Sequence, residues 1–193
     1  KELFNNRLVD LYQKSKYESD TRLRTYLALA MGKTEDPYFG EFLVDGINED
    51  KNISNKIAAI QSIGMLKYKP GCSVLEKTIR ESSDDAEVLA SIVSLGVIGN
   101  PSYKNILIDM LNYDEPNIRW DSAIALAKMG DNSGANIIEY LLRRSYYEKF
   151  PSKSDGSGLT IEEIDYSIYT AIKISQLLSE ARFKDELIYL SEN

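Results

Sequence analysis

The chain has 193 residues, 43% of them hydrophobic, and its 30 acidic against 23 basic side chains give a net charge of -7. That length and hydrophobic content suffice for a sizeable core, while the negative balance disfavours a nucleic-acid or anionic-membrane surface, since both need concentrated positive charge. There is no histidine, Cys72 is the one cysteine and excludes an intrachain disulfide, and no apolar run reaches the roughly 18 residues of a membrane span.

A chain opening on Lys1 is expected either of a shortened protein or of a mature one whose signal peptide was removed, so its address stays open between cytoplasmic and periplasmic or secreted. Residues 1–19 read as an N-terminal capping helix with Phe4, Leu8, Leu11 and Tyr12 on one face. From Asp20 the chain alternates two kinds of helix. The first helix A runs to Gly32, Asp36 and Pro37 turn the chain, and helix B follows with Phe42, Leu43 and Ile47 inward. The second unit repeats the plan with Ile57, Ile60 and Ile63, a turn at Lys69-Pro70-Gly71, then Val74, Leu75 and Ile79. The third, capped by Asp84 and Asp85, has Leu89, Ile92 and Leu95, a turn at Gly99-Asn100-Pro101, and a helix B on Ile106, Leu107, Met110 and Leu111.

The fourth unit is the clearest copy. Asp114 is placed to cap it, Pro116 to start it, Ile118 to Ala127 carry it, and Gly130 stops it in a left-handed conformation. Its helix B, with Ile137, Ile138, Leu141 and Leu142, is expected to run past Arg143 to Phe150. Arg22, Lys56, Val88 and Arg119 form one column, with steps of 34, 32 and 31 residues, a helical-repeat period. One residue later stand Leu23, Ile57, Leu89 and Trp120; eight later, Ala30, Gly64, Gly96 and Ala127, a small-residue column that lets neighbouring backbones approach. Residues 20–149 thus hold four regular repeats. Residues 150–160 are a polar loop, and Thr160 with Glu163 forms a capping box opening a divergent C-terminal repeat over 161–193. Terminal repeats differ because their outer face is wet.

Asp114, Arg119, Ala123, Leu126 and Gly130, with weaker copies at Asp20, Arg22 and Leu29 and at Asp50, Lys56 and Ala59, resemble HEAT repeats of the short kind found in phycobilin lyases. The resemblance covers residues 20–142. It implies an all-α fold, a right-handed α-solenoid of about five helix pairs forming one domain over 1–193, with B helices lining a concave protein-binding surface. It also implies a ladder of Asp and basic residues between units, interrupted at Val88.

Enzymes of this architecture make demands the sequence answers. A di-iron hydroxylase needs His and carboxylate ligands, and there is no histidine. A bilin lyase would be left with Cys72, whose ordinary reading at a helix start is packing. A glycosylase needs a basic groove with aromatics, which the charge opposes. Asp84-Asp85 and Glu162-Glu163 favour helix N-termini, Gly156 and Gly158 lack the Lys-Ser/Thr of a phosphate loop, and Trp120 shares a core column with Leu23. No catalytic, metal or cofactor residue is assigned.

Aligning the B helices on Leu43, Leu75, Leu107 and Ile138 puts Asp45, Lys77, Asp109 and Tyr140 two residues later, and Asn48, Arg80, Asn112 and Arg143 five later. With Arg144 and Tyr147 on the prolonged fourth helix, these ten residues are the expected binding ridge. The function expected is a non-enzymatic scaffold for another protein. The alternatives are a lyase-like enzyme or subunit with an unidentified groove site, and a structural repeat module of a larger assembly.

Overall fold

The computed structural model describes residues 2–17, 21–149, 159–178 and 183–192; 84% of these are helical and none lies in a β-strand. Asp20 and residues 150–158 of the expected loop, Gly156 and Gly158 included, fall outside them. The chain forms two compact units, Lys1–Ile106 and Leu107–Asn193.

In the first unit, α1 (Glu2–Lys14) precedes α2 (Thr21–Lys33), α3 (Gly40–Glu49), α4 (Ile53–Met65), α5 (Cys72–Glu81) and α6 (Asp85–Ile98), with α7 (Lys104–Met110) crossing the division. The A helices α2, α4 and α6 pack side by side, α3 lies against α4, and α5 against α6. Side-chain caps start these helices: Asn52 accepts from the Asn55 N–H, and Asp84 from the N–H groups of Ala86 and Glu87. A 3-10 turn joins each A helix to its B helix; Asp36 and Asn100 cap two of them ahead of Pro37 and Pro101. Each A helix ends on a left-handed residue one period after the last, at Glu35 (φ 54°), Lys67 (φ 48°) and Gly99 (φ 68°).

The core shows the repeat directly. Ala28 and Met31 on α2, Ile60 and Ile63 on α4, and Ile92 and Leu95 on α6 are fully buried, each pair 32 residues after the one before. That step corrects the first unit of the sequence alignment, where Arg22 and Leu23 stood two residues too early. The true counterpart of Lys56 is Arg24; Leu23 is 46% exposed and Ala30 also faces solvent. The alternation Arg22-Leu23-Arg24 allows either register, and burial selects the second. The small column accordingly begins at Gly32, not Ala30. A Cβ on Gly32 would stand 2.8 Å from Ser62, and one on Gly64 2.8 Å from the Ser94 hydroxyl.

The buried face of α1 is also rotated from expectation. Asn5, Leu8, Val9 and Tyr12 are buried at i, i+3, i+4 and i+7, while Phe4 is 60% exposed and Leu11 also faces solvent. Asn5 tolerates burial because its amide donates to Asp36 at 3.0 Å.

The second unit contains α8 (Pro116–Lys128), α9 (Ala135–Leu141), α10 (Arg144–Tyr147), α11 (Ile161–Leu178) and α12 (Phe183–Glu192). Helix α11 packs on α8 and α9 around Trp120, Ala123, Ile138, Ile168 and Phe183. Three expectations hold here. Gly130 stops α8 at φ 70°, Trp120 is core, and Thr160 and Glu163 exchange reciprocal capping bonds of 3.1 and 2.8 Å. Three are corrected. The cap of α8 is Glu115 rather than Asp114, because Pro116 takes the first helical position and the Asp114 carbonyl instead accepts from Arg119. Helix α7 ends at Met110, so Asn112 lies in a turn tightened by 3-10 bonds from Leu111 and Tyr113 to Ile108 and Met110. The fourth B helix does not run to Phe150: Arg143 is extended at φ -92°, ψ 116°, and the chain re-enters a separate short helix.

Candidate functional site

In the first unit the expected ridge residues lie on α3 and α5. Asp45 and Asn48 on α3, and Lys77 and Arg80 on α5, are all exposed, each following a fully buried leucine. Arg80 bonds Glu76 at 2.8 Å and Lys77 stands 4.0 Å from Glu81, both pairs within one helix and open to water. Such pairs are loosely held. Asp45 pairs with no cation among the described residues.

Beside Asp45 a cleft of about 390 Å³ opens between α1, the 3-10 turn Ser15–Tyr17, α2 and α3. Arg24, which lines it, is charged and buried. The Arg24 guanidinium donates to Asp50 Oδ2 and to the Tyr12 carbonyl, both at 2.5 Å, and lies 4.0 Å from the centre of the Tyr12 ring. Asp50 also accepts from the Asn52 N–H and the Asn55 amide. Burial raises the Asp50 pKa, yet these bonds outweigh it and hold the carboxyl below its ordinary value. One period on, Lys56 pairs with Glu87 at 3.2 Å, and Ser82 donates to the same carboxylate. The acid has moved: Asp50 with Asn55 becomes Ser82 with Glu87. The next positions in the series, Val88, Tyr113 and Ile118, carry no charge.

In the second unit the expected ridge residues differ in exposure. Asp109, Asn112 and Tyr140 are exposed, Tyr140 at 48%. Arg143 is held by Glu139 and Glu186, each at 2.6 Å, and Arg144 bonds Asp165. Tyr147 is not a surface residue. It is 3% exposed, its hydroxyl donates to the Leu141 carbonyl at 2.9 Å, and burial raises its pKa strongly. The break at Arg143 causes this, because it turns Tyr146 and Tyr147 back to meet Trp120 edge-on, with ring centres near 6.2 and 6.1 Å. Tyr140 stacks on Tyr146 at 5.8 Å.

The chain matches no protein-family model and no curated protein. Its own residues therefore carry the argument. Cys72 is fully buried, and burial pushes its thiol up despite a bond from Asn100, the reverse of what a nucleophilic thiolate needs. Among the described residues no three His, Cys, Asp or Glu side chains gather as a metal requires, and no helix is long and apolar enough to cross a membrane. The alignment did not single out the cleft and its residues Tyr12, Arg24 and Gly46. One signal was present: Gly46 falls inside the stretch expected as a B helix, and glycine inside a helix marks a close approach.

Proposed function

We propose that the chain is a non-enzymatic scaffold of HEAT-like helix pairs, stacked as a right-handed solenoid, that grips a segment of another protein along the exposed side of its B helices. The observation that carries this reading is the contrast within each B helix. Leu43, Leu75, Leu107 and Ile138 are fully buried, while the positions two residues later hold Asp45, Lys77, Asp109 and Tyr140, all exposed. A fixed core with a varied exposed column is what repeat scaffolds use to read a partner. Mixed charge suits a polar segment of both signs, and Tyr140, already braced by Tyr146, offers a large rigid contact at little entropic cost.

The reading is tested with proteins captured from the source organism on the wild type and on a folded Asp45→Ala, Lys77→Ala, Tyr140→Ala variant. A hot-spot truncation costs about 2 kcal/mol or more, so a genuine partner falls away about 30-fold or further. Retention of every captured protein at wild-type strength rejects the B-helix face.

A further inference from the structure

Tyr12 is 2% exposed, and its hydroxyl is buried with no hydrogen-bond partner. Buried polar groups are nearly always paired, so such an atom calls for an explanation. The hydroxyl lies against α3 where Gly46 hollows the helix: a Cβ there would stand 2.1 Å from the hydroxyl oxygen. Both residues line the cleft.

The charges around it leave one vacancy of sign. Lys14 pairs with Asp10, Lys16 with Glu49 at 2.7 Å, and Arg24 with Asp50. Asp45, on the same wall as Gly46, has no cation among the described residues. We propose that this cleft takes a primary ammonium group, as carried by a lysine side chain of the bound protein segment, with the Asp45 carboxylate as counter-ion and the Tyr12 hydroxyl oxygen as a second acceptor. An ammonium offers three donors in a compact head, enough for both acceptors and a water. Phe42 supplies an apolar wall for the alkyl stem. The hydroxyl is closed to water in the free protein, so the ammonium reaches it as the cleft opens, and the Lys16–Glu49 pair that also lines the cleft is exposed and weakly held. The inference rests on the scaffold reading for the source of the lysine, but the cleft is tested on its own.

N-acetyl-lysine methylamide is titrated into the full chain and followed by amide chemical shifts, with N-acetyl-norleucine methylamide as the uncharged control. The expected result is saturable shifts at Tyr12, Asp45 and Gly46 with the lysine probe alone, weakened about tenfold or more by Asp45→Asn and several-fold by Tyr12→Phe, but not by Asp109→Asn in the other unit. Tyr12→Phe deletes only an unpartnered atom, so the variant should melt no lower than wild type. Equal shifts from norleucine, no saturation, or wild-type binding by either Asp45→Asn or Tyr12→Phe overturns the proposal. Binding of the probe alongside failure of the triple variant to lose any partner would instead reject the scaffold reading and leave the cleft standing.

Discussion

Arg24 and Arg143 both hold two acceptors, yet their surroundings give them different weights. Arg24 and Asp50 are nearly inaccessible, so removing one partner strands a buried charge, whereas Arg143 faces water beside Glu139 and Glu186. Arg24→Met should cost about 3–5 kcal/mol and Arg143→Ala far less, read from urea midpoints and slopes. Similar losses would show that the buried pair is not the stronger tie. Two carboxyls give the chain opposite responses to pH. The Asp50 pKa is lowered in the folded state, so its contribution is present above the unfolded carboxyl value and is lost as pH falls through the folded one. Asp121 is raised to about 6 by burial, which Lys128 offsets only in part. Between the unfolded value and about 6 the folded chain keeps a proton that the unfolded chain has released, so this group lowers stability as pH rises. Asp121→Asn should therefore gain on wild type between pH 4.5 and 7. A constant difference in urea midpoint across that range would contradict the assignment.

The A helices end on one backbone device written with three kinds of residue. Glu35, Lys67, Gly99 and Gly130 are all left-handed, but only the two glycines announced it in the sequence. A side chain in that conformation costs about 1–2 kcal/mol, and a Cβ on Gly99 would meet nothing within 4 Å, so Gly99→Ala isolates the strain. That variant should lose about 1 kcal/mol or more in thermal or urea unfolding, and Lys67→Gly should gain up to about 1 kcal/mol. A neutral Gly99→Ala would mean the stop relaxes at no cost. The same elements show why part of the fold was legible and part was not. Periodicity, caps and turn residues act locally, so the B-helix columns, the Asp84 cap and the Thr160–Glu163 box could be read directly. The register of α2 depends on which arginine meets Asp50, 26 residues away, and the burial of Asn5 on Asp36, a contact that no local pattern contains. The break at Arg143 belongs to the same class, since Glu186 and the Trp120 cluster draw the chain out of helix there.

Taken over the whole chain, four copies of one column are closed to water, and the column two residues beyond the B-helix leucines is open in all four. Composition and spacing gave the helices and this column; they did not give the cleft, because Tyr12, Arg24 and Gly46 lie on three separate helices and meet only in the folded unit. The central claim is that the open column, rather than the outer side of the A helices, meets the partner. The most direct measurement places a photo-activated cross-linker singly at Asn48 and Arg80 on the B helices and at Gln61 and Val93, exposed positions on the A helices, then irradiates each protein in extract of the source organism. The account predicts the same discrete adduct from Asn48 and Arg80 and none from Gln61 or Val93. An adduct formed from Gln61 and Val93 but not from the B-helix positions would contradict it.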